Sequence, residues 1–288
     1  MSKKRDRKSN TGIGAVWHRL KKNKLAVVGL IIVIALLLTS VLAPWIAPYS
    51  YDEQDASSSL VGPCKEHLLG TDKLGRDILS RLIYGSQQSL KIGLLAVAMA
   101  ACIGIIIGSI AGFYGGIVDN ILMRILDVYQ CIPMMLMCIA LAAALGAGVI
   151  NTIIAIGVCT APGYARLLRA TILTVRDKEY VEAARAVNAS DFSIIMTQVV
   201  PNAISPLIVE ITMSIGGAIL FVAMLSFLGL GIQPPTPEWG AMLSEGRSYM
   251  REHSSLVLFP GICIMISVLA FNLLGDGLRD ALDPRLKN

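Results

Sequence analysis

The sequence predicts an all-α integral membrane protein with about six transmembrane helices. Of its 288 residues, 55% are hydrophobic and only 16% are charged, and the mean hydropathy is +0.66. Soluble domains average about 25% charged residues. Five stretches contain no Asp, Glu, Lys, Arg or His: 25–51, 92–118, 128–165, 211–237 and 254–275. About 20 apolar residues cross the ~30 Å hydrocarbon core of a bilayer, so each stretch accommodates at least one membrane-spanning helix.

The stretch 128–165 is too long for a single span. Its centre, 145–151, carries Gly146 and Gly148 and is typical of a turn, so the stretch divides into two helices, the first beginning near residue 121. The predicted helices are 25–47, 89–112, 121–145, 150–170, 203–228 and 255–275.

The distribution of basic residues predicts that both termini are cytoplasmic. Most of the 25 Lys and Arg residues fall in the segments that this topology places inside the cell, as the positive-inside rule requires. We therefore divide the chain into four parts: a basic cytoplasmic segment 1–24, a first span with an external loop 25–88, a core 89–275, and a cytoplasmic tail 276–288.

The sequence offers no pattern of a catalytic or metal site. Five of the six cysteines lie in predicted spans, where small apolar packing residues are expected. Cys64 and His67 share one loop, but a single pair of ligands is too few for a metal site. We expect neither a bound metal nor a catalytic residue.

The polar segment between the fourth and fifth predicted helices has helical periodicity. Its apolar positions share one face, which carries Tyr180, Ala183, Ala184 and Val187. Asn188 stands where this helix would end, because Asn tolerates the left-handed backbone conformation. Ser190 or Asp191 can cap a second helix that starts near Phe192. The pattern predicts a helix-turn-helix, here called the elbow (residues 176–202), that either docks into another protein or lies on the lipid surface.

Within the elbow, Glu182-Ala183-Ala184, the turn residue Asn188 and Pro201-Asn202 resemble the EAA loop of importer permeases in the ATP-binding cassette superfamily. Other segments resemble the C-type permease of the dipeptide, oligopeptide and nickel importers. They are HLLGTD at 67–72, GRDILSR at 75–81, SFLGLGIQPPTPEWG at 226–240 and GDGLRDALDPRL at 275–286. These segments run from the first loop to the C-terminus, so the resemblance covers nearly the whole chain.

The resemblance implies the type I importer permease fold and a place in the inner or plasma membrane. It implies that this chain and a second permease form a pathway for dipeptides or oligopeptides delivered by an extracytoplasmic binding protein. Two ATP-binding cassette motor subunits would drive the cycle, and no nucleic acid is involved. Because the chain has no Gly-Lys dipeptide, it lacks a phosphate-binding loop of the Walker type. We therefore expect no enzymatic activity and no cofactor in this chain, with ATP and Mg in the motor subunits.

The resemblance also implies which elbow residues contact the motor. They are Tyr180, Glu182, Ala183, Ala184, Asn188 and Asp191. The chain departs from the family pattern in having Asn188 in place of Gly and Gln198 in place of a frequent His. Asn is the best substitute for Gly in a left-handed turn, so we expect the elbow to form.

Charged residues inside the predicted spans need partners, since an ionised group at the bilayer centre costs roughly 3 kcal/mol. Arg124 and Asp127 are three residues apart, and we expect them to pair. Glu210 is predicted either to pair with Arg166 or Arg169 and so brace two helices, or to serve as a gate or substrate contact.

Two external loops, 48–88 and 229–254, are candidates for an outer gate or for contact with the binding protein. The residues expected there are Asp72, Arg76, Asp77, Pro235 and Trp239.

Three other functions remain open from the sequence. The same architecture could import nickel or a metal chelate. An ATP-independent secondary transporter would show an internal repeat or a deep acidic residue; we find no clear repeat, and Glu210 is the only acidic candidate. A scaffold that recruits a cytoplasmic partner through the elbow would not transport.

Overall fold

The structure is a computed structural model that describes residues 13–282, so the predicted segments 1–24 and 276–288 lie partly outside it. Within this range the chain is helical, with one isolated β-bridge between Thr71 and Asp77. The α-helices are α1 (Ile13–Leu20), α2 (Lys24–Ile46), α3 (Ile78–Tyr114), α4 (Gly116–Gln130), α5 (Met134–Leu145), α6 (Val149–Leu173), α7 (Glu179–Ala186), α8 (Asp191–Ile194), α9 (Val200–Ala203), α10 (Ser205–Phe227), α11 (Trp239–Gly246) and α12 (Ser255–Leu282).

The prediction of about six spans is confirmed. Five helices of the described chain are long and apolar enough to cross a membrane, namely α2, α3, α6, α10 and α12. The remaining predicted span, 121–145, is broken, because α4 and α5 meet at a bend of 84°. Pro133 lies between α4 and α5, as the N-cap of α5, and a proline has no amide hydrogen with which to continue the preceding helix.

Two helices extend well beyond their predicted bounds. α3 begins at Ile78 rather than at residue 89. Asp77 caps this start by accepting a hydrogen bond from the Ser80 amide at 2.7 Å. α12 continues to Leu282 rather than to residue 275. Charged residues in these extra turns, such as Arg81 and Arg279, kept them out of the apolar stretches. The divisions proposed at 88/89 and 275/276 therefore fall inside helices.

The bundle is built around the close packing of α3 on α6. A Cβ atom added to Gly104 would lie 2.4 Å from the Cβ of Tyr164, and one added to Gly108 would lie 2.6 Å from the Ala165 carbonyl oxygen. Only glycine lets the two backbones approach so closely. α3 has 37 residues and is therefore about 55 Å long, so it joins one end of the bundle to the other.

The two described ends of the chain lie at the same end of the bundle. Leu20 of α1 packs with Ala26 and Ala281 in a small apolar cluster, and Arg19 donates a hydrogen bond to the Ala281 carbonyl oxygen at 3.3 Å. The elbow lies at this end as well, because the end of α6 and the start of α10, which it joins, line one cavity with Arg279 and Leu282 of α12.

Candidate functional sites

The elbow has the predicted helix-turn-helix form. α7 ends in a Schellman arrangement in which the Ala189 amide donates to the Ala184 carbonyl at 3.2 Å and the Asn188 amide to the Arg185 carbonyl at 2.9 Å. Asn188 has a φ of 59°, in the left-handed region. Ser190 then caps α8 by accepting a hydrogen bond from the Ser193 amide at 3.3 Å. The sequence rules for helix ends therefore apply here without correction.

Three contacts fix the elbow to the bundle. Val181 is completely buried and belongs to the main hydrophobic core. The guanidinium group of Arg185 lies 5.2 Å from the centre of the Phe113 ring, a cation–π contact. Arg176 donates a hydrogen bond to the Gly112 carbonyl oxygen at 2.9 Å. A displacement of the elbow would therefore act directly on the end of α3.

The elbow exposes four large apolar side chains among its charged and polar ones. Val187 is 79% exposed, Phe192 75%, Met196 50% and Tyr180 41%. We call these four residues the elbow face. Exposed apolar patches of this kind mark sites of protein or membrane contact.

The predicted contact residues differ in their exposure. Tyr180, Glu182, Ala183, Asn188 and Asp191 are exposed, whereas Ala184 is half-buried and packs against the core. Asp191 lies at the first position of α8, next to Tyr114.

At the opposite end of the bundle, four charged side chains form a compact group, here called the charge cluster (Asp72, Arg76, Arg81 and Glu245). Arg76 donates to Asp72 Oδ2 at 2.7 Å through Nε and to Glu245 Oε2 at 2.8 Å through Nη2. Arg81 donates from Nη1 to both acids, at 2.8 Å to Glu245 Oε2. The two positive and two negative charges balance, and the cluster joins the loop before α3 to α11.

Burial and charge act in opposite directions on Asp72. Burial favours its neutral form, but the positive charges of Arg81 and Arg76 and hydrogen bonds from the Leu74 and Arg76 amides outweigh burial, so the pKa of Asp72 lies below its ordinary value.

Other residues of the same two loops make separate hydrogen bonds at this end of the bundle. Asp77 accepts from the Ser80 amide, and its other oxygen lies 3.0 Å from Nδ1 of His67. Glu238 caps α11 by accepting from the Ala241 amide at 2.9 Å. The indole nitrogen of Trp239 donates to the Leu82 carbonyl oxygen at 3.1 Å.

Asp72, Arg76, Asp77 and Trp239 were predicted either to form an outer gate or to contact a binding protein, and they are 6%, 1%, 3% and 1% exposed. In this structure they hold the loops to α3 and α11, so they present little surface to a binding protein. The gate alternative stays a prediction. Pro235, the fifth predicted residue, is exposed.

The charged residues in the spans pair partly as predicted. The predicted pair of Arg124 and Asp127 is present at 4.0 Å, but Asp127 has a nearer partner on another helix, Arg166, at 2.8 Å. Arg169 forms a bidentate pair with Asp119, with its Nε 2.9 Å from Oδ1. The predicted pairing of Glu210 with Arg166 or Arg169 is wrong, because both arginines face α4.

Glu210 instead lines an open cavity of about 570 Å³ beside the elbow. The cavity lies between α6, α10 and the last turn of α12, and its polar lining includes Thr171, Asn202 and Arg279. Within the described residues, the only hydrogen bond of the Glu210 carboxylate is with the Ser214 hydroxyl group at 3.2 Å.

A family model described as "Binding-protein-dependent transport system inner membrane component" matches residues 104–288. A second model, "N-terminal TM domain of oligopeptide transport permease C", matches residues 13–63.

The chain belongs to the binding-protein-dependent permease family.

Curated relatives of this permease align over almost its whole length. The dipeptide transport system permease protein DppC of Alkalihalophilus pseudofirmus is 45% identical over 272 residues, which cover 94% of this chain and 90% of the relative. The di/tripeptide transport system permease protein DppC of Pseudomonas aeruginosa is 45% identical over 278 residues, 94% and 92% of the two chains. The glutathione transport system permease protein GsiD of Escherichia coli is 45% identical over 272 residues, 94% and 90%.

Among solved structures, an inward-facing form of the MetNI methionine ABC transporter matches with a TM-score of 0.57 at 18% identity. The match covers 70% of this permease and 96% of that chain. It shows that the two chains share the importer permease fold, as expected from the resemblance.

Sequence reasoning missed several residues at these sites. Phe192 and Met196 were not predicted to contact a partner, although two exposed apolar residues in a polar segment are a usable signal. Arg81 and Glu245 complete the charge cluster, and Glu238 caps α11. Arg81 lies in the first turn of α3, whereas Glu238 and Glu245 lie at the start of α11 and within it, more than 150 residues later, and the sequence contains no signal that these segments meet.

Proposed function

We propose that this permease, with a second homologous permease, forms the pathway of an importer for di- and tripeptides delivered by an extracytoplasmic binding protein. Two separate motor subunits bind ATP and Mg and hydrolyse the nucleotide, while this chain performs no catalysis. The support for the substrate class is the identity of about half the residues with relatives named for dipeptides, di/tripeptides and glutathione, which is itself a tripeptide derivative.

The orientation in this proposal has the elbow end in the cytoplasm. The excess of Lys and Arg in the segments at that end supports it. The charge cluster then lies at the external end, where the exposed Pro235 is available to the binding protein.

The observation that carries the coupling role is the elbow face. Its apolar side chains stand on a helix-turn-helix that is anchored in the main core through Val181 and to α3 through Arg185 and Arg176. A motor subunit that receives this face and then moves displaces the elbow as a rigid lever, and α3, α6 and α10 respond because they are joined to it.

The test replaces Phe192 by Ser in the assembled importer, reconstituted in vesicles with its binding protein. Removal of a central aromatic contact costs about 2 kcal/mol or more at protein interfaces, so we expect stimulated ATP hydrolysis and dipeptide uptake to fall more than about tenfold. Thermal stability of the assembly should stay unchanged, because the side chain is exposed.

The matched control is Met250→Ser, which removes another exposed apolar side chain at the opposite end of the bundle. It should leave hydrolysis unaffected. Equal activity of Phe192→Ser and the unaltered importer would remove the elbow face from the coupling route. Failure of the unaltered importer to take up any dipeptide would contradict the substrate class instead.

A further inference from the structure

The cavity beside the elbow has the size and lining of a ligand site. Its volume of about 570 Å³ falls within the range of roughly 300–1,000 Å³ that is typical of small-molecule pockets. Its apolar lining includes Val209 and Met213 on α10 and Leu167 on α6. These side chains suit the apolar part of a ligand, whereas the neutral polar residues Thr171, Asn202 and Ser205 lie nearer the elbow.

The cavity carries one acid and one base on separate walls. Glu210 stands in the second turn of α10, and Arg279 stands in the last turns of α12. Among residues 13–282, the side chain of Arg279 makes no hydrogen bond or ion pair, and the Glu210 carboxylate accepts only from Ser214. By contrast, Asp119 and Asp127 each have an arginine partner.

Neutral polar groups lie between the two charges. Asn202 donates its side-chain amide to the Gln198 carbonyl oxygen at 2.7 Å, which leaves its side-chain oxygen as an acceptor towards the cavity. Ser205 also lines the cavity. A carboxylate, a guanidinium group and neutral hydrogen-bonding groups around one apolar space are complementary to a zwitterion.

We propose that this cavity binds a short peptide with free termini, in which Glu210 receives the α-ammonium group and Arg279 the terminal carboxylate. The inference rests on the proposed function, since it assigns to the transported peptide a binding site at the elbow end of the pathway. Apolar side chains of the peptide contact Val209 and Met213.

The experiment uses the assembled importer in nanodiscs and a dipeptide that carries a diazirine side chain and both free termini. After illumination, mass spectrometry should find the crosslink within residues 167–175 or 202–213. The unlabelled free dipeptide should compete for this crosslink, whereas its N-acetylated, C-amidated form should compete at least about tenfold less well, because it has lost both charge pairs.

The variants Glu210→Gln and Arg279→Gln should each lower the yield about tenfold at subsaturating peptide. The matched control Asp276→Asn removes an exposed charge on α12, one turn from Arg279 and outside the cavity lining, and should keep the full yield.

A phosphatidylethanolamine headgroup also pairs an ammonium group with an anion. The crosslink is therefore compared in nanodiscs of pure phosphatidylglycerol and in nanodiscs that also contain phosphatidylethanolamine. An equal yield in both supports the peptide site, and suppression by phosphatidylethanolamine would assign the cavity to lipid and overturn the proposal.

Equal competition by the N-acetylated, C-amidated dipeptide and by the free dipeptide would also overturn the proposal that the cavity binds the peptide termini. So would the absence of a cavity crosslink in an importer that transports the same dipeptide, and that outcome would leave the proposed function standing. An unaltered importer that transports no dipeptide would overturn both.

Discussion

The elbow and the charge cluster occupy opposite ends of the same bundle and use charged residues in opposite ways. In the elbow, Glu182 and Asp191 are exposed and the buried anchor is apolar Val181. In the charge cluster, Arg76 and Arg81 are almost completely buried and pair with two acids. Both regions carry family-like sequence segments. A motif therefore indicates that a region matters, but burial decides whether its residues meet a partner or hold the fold.

The substitution Arg76→Ala gives the strongest test of whether the buried charge cluster stabilises the fold. The substitution leaves Asp72 and Glu245 with one arginine between them, and loss of one member of a buried ion pair costs about 3–5 kcal/mol. We expect a large fall in the thermal stability of the purified assembly.

The control is Arg124→Ala, in which an 85% exposed arginine is removed. Its expected cost is below about 1 kcal/mol, as for surface ion pairs. If Arg76→Ala kept full stability and lost only uptake, the charge cluster would be a working surface like the elbow, and the contrast between the two ends would fail.

A smaller loss of local stability is expected on substitution of Asn188, because the turn of the elbow requires a left-handed backbone conformation at this residue. Its φ of 59° is tolerated by Asn and Gly but costs Ala roughly 1 kcal/mol. Asn188→Ala should therefore speed hydrogen exchange of the Ala189 amide about fivefold.

Asn188→Gly serves as the conservative partner and should leave exchange close to that of the native chain. Equal exchange in the Ala variant would mean that the turn relaxes to another conformation and that the Schellman hydrogen bonds do not hold the elbow.

The smallest expected effect is on the pH dependence of thermal stability, to which the charge cluster should contribute and the elbow should not. The folded-state pKa of Asp72 is lowered below the unfolded value near 3.9. Its contribution to stability is thus complete above that value and is lost as the pH falls through the folded-state pKa. Thermal stability measured between about pH 5 and pH 3 should decline, and Asp72→Asn should make the decline shallower.

Glu182→Gln removes an exposed carboxylate of the elbow and should leave the slope unchanged. A slope that responds equally to both substitutions would show that the loss of stability in acid is not localised at the charge cluster.

Local rules account for the features that the sequence predicted well. The apolar stretches locate the spans, since the length of a helix that crosses a bilayer is set by the bilayer. Asn188 and Ser190 mark the turn of the elbow through backbone preferences of single residues. Such features depend on neighbours a few positions apart and are visible in one chain.

Apart from the bounds of α3 and α12 and the break between α4 and α5, the failures concern contacts between distant segments. Arg166 and Arg169 lie at a depth similar to that of Glu210, yet they face Asp127 and Asp119 on α4. The rotation of α6 that decides this follows from its close packing on the glycines of α3. Sequence spacing contains no information about which neighbouring helix a side chain faces.

The sequence by itself determined that this is a membrane permease of the importer type with a helix-turn-helix elbow between two spans. Hydropathy, turn preferences and motif similarity suffice for that, because each is local or shared with the family. Only the tertiary structure decided that Asp72 and Arg76 are internal, that Phe192 is exposed, and that Glu210 and Arg279 line one cavity. The reason is that burial and charge pairing arise from how the helices pack, which brings together residues that the chain keeps far apart.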